Sequence, residues 1–236
     1  MKKRIIGILV VALLAGLAFR LLWSGLWLER LRAFFRAPVQ GKQWQCEVEK
    51  YRMLYKSDSI DLFFLGDSHM EQCEWQELLP EFRCANRGIG GETTSGLLLR
   101  LNSLPENGRK RTVFLQTGTN DLFSESSPEE ISNRYEEILK WLISRDYNPV
   151  PSLVFPLRYQ PELNKKGELL NSSIRSLAGK YHCRLININP MISENGQLSA
   201  GASSDGVHLN ANGYAIWLKE ISQILSARAD PAAGYP

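Results

Sequence analysis

The chain has 236 residues, of which 44% are hydrophobic and 22% are charged. This composition excludes an intrinsically disordered chain and a small scaffold that depends on disulfides for stability. Residues 1–36 hold seven Lys or Arg and one Glu, so the remaining chain is slightly acidic, unlike a nucleic-acid-binding domain.

The N-terminal segment predicts a membrane span. Three basic residues precede an apolar stretch, Ile5–Trp27, that a single charge at Arg20 interrupts. About 20 apolar residues are enough to cross a bilayer, and Trp23 would lie near the interface. We expect an uncleaved single-pass anchor with the C-terminal domain on the extracytoplasmic side. The alternative is a signal peptide that is cleaved, which would make the protein secreted.

The segments that flank the main domain are also distinct in composition. Residues 28–36 mix apolar and Arg side chains, which predicts either a basic amphipathic helix on anionic lipid or a solvated connecting helix. Residues 37–57 are expected to form a linker, and residues 58–228 the main domain. Residues 229–236 are rich in small residues and Pro and are expected to be unstructured.

Between residues 58 and 228, short apolar runs alternate with helical periods, a pattern typical of an α/β fold with a parallel sheet. Five segments are predicted as strands: Ile60–Leu65, Arg83–Asn86, Thr112–Thr117, Ser152–Phe155 and Arg184–Ile188. Five segments are predicted as helices: Met70–Leu79, Thr94–Leu104, Pro128–Ser144, Leu169–Tyr181 and Ala211–Ala227. Ser127 is a candidate N-cap because Pro follows it at the first helical position.

A first motif, Gly66-Asp67-Ser68-His69, directly follows the first strand. A serine at a strand-to-helix turn can expose its hydroxyl, and the nearby amides at a helix N-terminus can stabilise an anion. The alternative is a helix cap, for which Asp and Ser are common residues.

A second motif places three glycines within the stretch Asn86–Thr94, after the second strand. This indicates a backbone that another group approaches closely, with an amide left free to donate. A dinucleotide-binding fingerprint would need Gly or Ala at Thr93, and no P-loop Lys is present. Nucleotide binding is therefore excluded.

A third motif, Gly118-Thr119-Asn120-Asp121, follows the third strand. The side-chain amide of Asn120 could donate a hydrogen bond to an oxyanion, although Asn and Asp are also ordinary turn residues. Because open parallel sheets bind ligands at the carboxyl ends of their strands, the position of all three motifs favours a functional site there.

A fourth motif, Asp205-Gly206-Val207-His208-Leu209, precedes the last helix. The chain has only three histidines, and His208 alone has a carboxylate, Asp205, close enough in sequence to hold one ring nitrogen. His69 is expected to point away from its neighbour Ser68, and His182 has no nearby carboxylate. A metal pair is the alternative, but zinc would need a further ligand and no His or Cys cluster is present.

The four cysteines, Cys46, Cys73, Cys84 and Cys183, follow no metal-binding spacing. Cys73 and Cys84 could pair in an oxidising compartment, whereas buried free thiols are the alternative.

Together these four motifs, in this order and after these strands, resemble the SGNH (GDSL) hydrolase superfamily over residues 58–225. The run W-Q-E-L-L-P, N-R-G-I-G-G-E-T-T and L-L-R-L is similar to the platelet-activating-factor acetylhydrolase catalytic-subunit branch. The resemblance implies a three-layer α/β/α sandwich with a flavodoxin-like, five-stranded parallel sheet. It also implies ester hydrolysis without a cofactor.

Carried over by motif, the resemblance implies that Ser68 is the nucleophile, that His208 is the base and then the acid, and that Asp205 orients His208. It implies an oxyanion hole formed by the backbone amides of Ser68 and Gly91 and the side chain of Asn120. His69 stands where this branch usually has an apolar residue, and we expect it to line the approach to Ser68.

The sequence as a whole therefore predicts a membrane-tethered serine esterase without a cofactor or metal. Its expected substrates are short acyl esters, such as O-acetyl groups on envelope glycans or lysophospholipid esters. One alternative is acyl transfer to a glycan hydroxyl, and another is a non-catalytic module that binds glycan or lipid. The complete set of Ser68, Gly91, Asn120, Asp205 and His208 argues against the binding module.

Overall fold

A parallel four-stranded sheet forms the middle layer of the fold in the computed structural model, which describes residues 41–54, 59–105, 110–124 and 126–229. The strands lie in the order β2-β1-β3-β4. Their bounds are β1 Leu62–Gly66, β2 Cys84–Gly88, β3 Arg111–Gln116 and β4 Tyr147–Pro151. A short antiparallel hairpin is formed by β5 Ser193–Glu194 and β6 Gln197–Leu198.

Helices surround the sheet. Their bounds are α1 Lys42–Met53, α2 Ser68–Glu71, α3 Trp75–Leu78, α4 Thr94–Arg100, α5 Thr119–Phe123, α6 Pro128–Ser144, α7 Pro161–Lys180, α8 Asn189–Ile192 and α9 Ala211–Ala229. A 3₁₀ turn, Leu101–Ser103, continues α4.

The sheet separates two hydrophobic cores. Because successive side chains of a strand point to opposite faces, Phe63 and Leu65 of β1 pack into a cluster with α6 and α7. Leu62 and Phe64 enter a second cluster with α3 and α9. Every residue of β1 and β3 is buried, as expected for central strands that helices cover on both faces. The result is a three-layer α/β/α arrangement.

The expectation of five strands is corrected by the structure, in which the described residues form a parallel sheet of four. The predicted strand Ser152–Phe155 begins where β4 has just ended, and the predicted strand Arg184–Ile188 forms one isolated parallel bridge, between Ser152 and Ile186. Two backbone hydrogen bonds make this bridge: the Ile186 N–H donates to the Pro151 carbonyl at 2.9 Å, and the Leu153 N–H donates to Ile186 at 3.0 Å.

Two prolines explain why the sequence pattern does not indicate a strand at β4. The Ser152 N–H donates to the Leu115 carbonyl of β3, so alternate residues of β4 turn their N–H positions away from β3. Pro149 and Pro151 occupy such outward positions, where a missing donor leaves the ladder with β3 intact. The same missing donors limit the hydrogen bonds that a fifth strand could accept on that side.

Side-chain amides end the ladder beyond the bridge. The Val154 N–H donates to Asn171 Oδ1 at 2.8 Å, and the Val154 carbonyl accepts from Asn171 Nδ2 at 3.0 Å and from Asn189 Nδ2 at 2.9 Å. The backbone of Val154 is thus satisfied by side chains instead of by a neighbouring strand.

The predicted helices agree with those of the structure to different degrees. The predicted bounds of α6 are confirmed, and Ser127 caps it in a capping box with Glu130. The predicted helix Met70–Leu79 is instead the two short helices α2 and α3, and α7 begins at Pro161, eight residues before its predicted start. Residues 37–57, predicted as a linker, contain helix α1.

The N-terminal predictions lie outside the described residues. These are the span Ile5–Trp27 and the amphipathic segment 28–36. Within the described ranges, no helix is long and apolar enough to span a bilayer. Of the predicted C-terminal tail, only Ala229 is described, as the last residue of α9.

Replacing Ser127 with Ala should lower the free energy of unfolding by about 1 kcal/mol, because the capping hydrogen bond to the Glu130 N–H is lost. Urea unfolding of the full-length chain, followed by circular dichroism, measures the change. Ser176→Ala on the exposed side of α7 is the matched control and should not destabilise the protein. Equal unfolding midpoints for Ser127→Ala and wild type would contradict the capping role.

Candidate active site

Ser68 lies at a tight turn between β1 and α2. Asp67 is the N-cap of α2, and its Oδ1 accepts a hydrogen bond from the His69 N–H at 3.0 Å. Gly66, the last residue of β1, has φ of +150°, and a Cβ atom there would lie 1.8 Å from the Gln116 carbonyl oxygen of β3. The turn therefore requires glycine, and it places the partly exposed Ser68 at the carboxyl end of the central strand.

Three side chains from the first and fourth motifs form a hydrogen-bonded chain. His208 Nε2 lies 3.0 Å from Ser68 Oγ, and His208 Nδ1 lies 2.7 Å from Asp205 Oδ2. When Nδ1–H donates to the carboxylate, the lone pair of Nε2 faces the serine hydroxyl. This geometry allows His208 to take the proton of Ser68.

The carboxylate of Asp205 is held in its charged form. Its Oδ1 accepts hydrogen bonds from the backbone N–H groups of Val207 and His208, each at 2.8 Å. Partial burial acts to raise the pKa of Asp205, but the hydrogen bonds from the His208 ring and these two amides outweigh it and lower the pKa to about 2. An ionised Asp205 therefore faces Nδ1 throughout the neutral range.

Hydrogen bonds from Arg158, in a distant loop, hold the segment that carries Asp205 and His208. The Arg158 N–H donates to the Gly206 carbonyl at 2.9 Å, and its guanidinium donates to the carbonyls of Leu198, Ser199 and Ser203 at 2.7–3.0 Å. Gly206 has φ of +84°, and a Cβ there would lie 2.8 Å from Arg158 Cβ. Sequence reasoning missed Arg158, because nothing links it to this segment along the chain.

The other two predicted oxyanion donors, Gly91 and Asn120, lie on two further segments. Gly91, with φ of +75°, sits in a turn that the Glu92 N–H closes by donating to Ile89 at 3.1 Å. Asn120, 2% exposed, donates from Nδ2 to the Glu92 carbonyl at 2.9 Å, which fixes its amide beside the glycine-rich turn. One hydrogen of that amide remains available, since Nδ2 carries two. The N–H groups of Ser68 and Gly91 donate to no group in the part of the chain that the structure describes.

A buried ion pair anchors the glycine-rich turn. Arg100 Nε donates to Glu92 Oε1 at 2.6 Å, and Arg100 Nη2 donates to Glu92 Oε2 and to the Arg87 carbonyl. Burial raises the pKa of Glu92, and the adjacent guanidinium opposes that rise. Since both side chains are almost fully buried, loss of either would leave an uncompensated charge in the core.

Helix α1 packs directly on this turn. Trp44 Nε1 donates to Glu92 Oε1 at 2.8 Å, and the Tyr51 hydroxyl donates to the Gly88 carbonyl at 2.7 Å. The Arg87 guanidinium lies 4.9 Å from the centroid of the Tyr51 ring. Trp44 and Tyr51 are seven residues apart and share one face of a helix, a periodicity that could have indicated a packed helix. The segment predicted as a linker is thus part of the support of the site.

The glycine content predicts that another group approaches this motif closely. In the structure, that group is helix α2. A Cβ atom at Gly88 would lie 2.2 Å from the backbone nitrogen of Glu71, and a Cβ at Gly90 would lie 2.6 Å from Glu71 Oε2. The glycines therefore let β2 and the following turn pack against the helix that begins with Ser68.

The expectation that His69 lines the approach to Ser68 is corrected, because His69 is 1% exposed. Its ring lies beneath the site, with an edge-on contact to Phe155 at 5.1 Å between centroids. His182 is exposed in a left-handed turn after α7 and has no part in this cluster.

Other candidate groups are accounted for within the described ranges. The four cysteines are free thiols. No group of three or more His, Cys, Asp or Glu side chains there could hold a metal ion.

Comparison with known proteins shows which family the chain is similar to. Residues 64–216 match the model of the GDSL-like Lipase/Acylhydrolase family. The chain is 28% identical over 200 residues to platelet-activating factor acetylhydrolase IB subunit alpha2 from Rattus norvegicus and from Homo sapiens, with 79% of this chain and 86% of theirs covered.

Two solved structures share the fold. A GDSL-like lipase from Bacteroides thetaiotaomicron has a TM-score of 0.65 at 20% identity, covering 78% of this chain and 97% of that one. An acetyl xylan esterase has a TM-score of 0.58 at 19% identity, covering 70% of this chain and 98% of that one. Because the family model spans well over half of the sequence, this chain belongs to the GDSL-like lipase/acylhydrolase family of SGNH hydrolases and is a carboxylic ester hydrolase.

Proposed function

We propose that this protein is a serine esterase that removes short acyl groups, such as O-acetyl groups on glycans or the acyl chain of lysophospholipids, through Ser68, His208 and Asp205. The observation that carries the proposal is the chain of hydrogen bonds from Asp205 through His208 to the Ser68 hydroxyl, at 2.7 and 3.0 Å. A serine is a weak nucleophile unless an adjacent base takes its proton, and this geometry supplies the base.

In the first half of the reaction, Ser68 Oγ attacks the ester carbonyl carbon as its proton passes to His208 Nε2. The carbonyl oxygen becomes an oxyanion, for which the N–H groups of Ser68 and Gly91 and the second amide hydrogen of Asn120 are the proposed donors. The tetrahedral intermediate collapses, and the leaving alcohol takes the proton from His208. Ser68 is left as an acyl ester.

In the second half, water attacks the acyl carbon and His208 takes one of its protons. Collapse of the second intermediate returns that proton to Ser68 and releases the carboxylic acid. Asp205, ionised at neutral pH, stabilises the imidazolium that forms twice in each cycle.

Preference for short acyl chains rests on two supports. The sequence has no long apolar insertion of the kind that would form a lid over a long chain. The relatives at 28% identity carry the name acetylhydrolase. The membrane anchor over residues 1–36 and the extracytoplasmic location are part of the proposal and rest on the sequence of those residues.

Replacing Ser68 with Ala should reduce kcat by about 10⁴-fold or more, since no other nucleophile is provided. Hydrolysis of p-nitrophenyl acetate, butyrate and octanoate by the full-length chain measures this, with Ser176→Ala as the control that retains activity. Wild-type activity should fall as the acyl chain lengthens. A folded wild-type protein that transfers the acyl group to an added sugar faster than to water would instead be an acyltransferase.

Replacing Asn120 with Ala should reduce kcat by about 100-fold or more with little change in KM, because an oxyanion donor acts mainly on the transition state. Steady-state kinetics with the acetyl ester measure both constants. The exposed Asn102 provides the control Asn102→Ala, which should behave as wild type. A large rise in KM with kcat retained would identify Asn120 as a substrate-binding residue instead.

Replacing Trp44 with Phe should lower kcat several-fold, because it removes the hydrogen bond from α1 to Glu92 and loosens the turn that carries Gly91. The lost bond to a charged group should cost about 1.5–3 kcal/mol of unfolding free energy. Trp141→Phe is the matched control, since Trp141 packs on the core beside Tyr147, away from this turn. Equal kcat values for the two variants would show that α1 does not support the site.

A further inference from the structure

A second histidine–aspartate pair lies buried directly beneath the proposed triad. His69 Nδ1 is 3.2 Å from Asp67 Oδ1, and His69 Nε2 is 3.0 Å from the carbonyl oxygen of Val207. Val207 is the residue immediately before His208. The centroids of the His69 and His208 rings are 5.5 Å apart. One histidine therefore contacts both the turn that carries Ser68 and the segment that carries its proposed base.

The partners of His69 determine its protonation. A carbonyl oxygen can only accept, so the contact with Val207 requires a proton on Nε2. Asp67 is 0% exposed, and a carboxylate facing Nδ1 likewise favours a proton there. Burial acts against a charged imidazole, but the hydrogen bond and charge of Asp67 and the contact with Val207 outweigh it and raise the pKa of His69. The two contacts thus fix the orientation of the ring between Asp67 and Val207.

Two neighbouring segments contact His69. Phe155, which follows β4, meets the ring edge-on, and Tyr214 of α9 donates its hydroxyl to the His69 backbone carbonyl at 2.8 Å. The charged and titratable groups that face it are Asp67 from its own turn and Asp205 and His208 from the segment before α9.

We propose that His69 is a positioning residue of the esterase: it holds the Val207 carbonyl from below and thereby keeps His208 within hydrogen-bond distance of Ser68. This inference rests on the proposed function.

His208 reaches Ser68 through one contact only. Its link to Ser68 is a single 3.0 Å hydrogen bond, and a misplacement of about 1 Å at a reacting group can cost about 100-fold in rate. Arg158 and Asp205 hold the same segment from the side, so loss of the His69 contact should displace His208 without unfolding it.

Two amide variants separate the contacts of His69. In His69→Gln, the side-chain N–H₂ can occupy the place of Nε2 and still donate to Val207. In His69→Asn, the shorter side chain places its amide near Nδ1, where it can reach Asp67 but not Val207. Both variants remove the same ring, and they differ from each other by a single methylene group.

The experiment compares these variants in the full-length protein. With p-nitrophenyl acetate, His69→Asn should lose about 10- to 100-fold in kcat with KM nearly unchanged, and His69→Gln should retain most of kcat. The exposed histidine provides the control His182→Gln, which should match wild type. Proton NMR of the His208 Nδ1–H that binds Asp205 adds a readout independent of turnover: its resonance should persist in His69→Gln and broaden in His69→Asn.

Other outcomes would overturn the inference. Equal kcat values and equal His208 resonances in the Gln and Asn variants would show that the Val207 contact does not position His208. If the Gln and Asn variants are equal in this way and Ser68→Ala still abolishes hydrolysis in the same assay, the proposed function stands while this inference fails. If wild type hydrolyses no ester, the proposed function fails, and the NMR comparison alone decides whether His69 positions His208.

Discussion

The tight turn at the end of β1 is the constraint on which the site depends. Gly66 packs so closely on the Gln116 carbonyl that any Cβ would clash, and the Asp67 N–H donates to that same carbonyl at 3.3 Å. Strands β1 and β3 therefore fix the path of the chain into α2, and with it the position of Ser68. Since both strands are fully buried, the proposed nucleophile follows directly on the buried centre of the sheet.

The other proposed participants reach Ser68 from separate segments, and two buried polar pairs lie beside them. Glu92 and Arg100 anchor the glycine-rich turn, and Asp67 anchors His69. Such charges cost free energy to bury, and apolar side chains of similar volume often stabilise a protein as well or better. Their concentration at one edge of the sheet is consistent with a site whose geometry matters more than its contribution to stability.

Much of this arrangement could be predicted from the sequence because the informative residues are local. Ser127 and Pro128 define the start of α6, and Asp205 and His208 are three residues apart, so a loop can bring their side chains together. What the sequence did not predict depends on contacts between distant segments. Arg158 reaches the segment before α9 across more than forty residues, and its role has no local signal.

Two of the predictions made from the sequence are wrong for the same reason. The burial of His69 could not be inferred from its neighbour Ser68, because a turn places adjacent side chains in different environments. The prolines of β4 make the segment look unlike a strand. Proline is nevertheless tolerated at strand positions whose N–H would face away from the neighbouring strand. In both cases, contacts with distant parts of the chain determine the structure at that position.

Reaction with a fluorophosphonate would show whether Ser68 is an activated nucleophile. Such a reagent loses fluoride when an activated serine oxygen attacks its phosphorus, so the modified residue can be located by mass spectrometry of peptides from the full-length chain. We expect modification at Ser68 alone, and a much slower reaction when His208 is replaced with Ala. Modification of a different serine, or equal rates with and without His208, would contradict it.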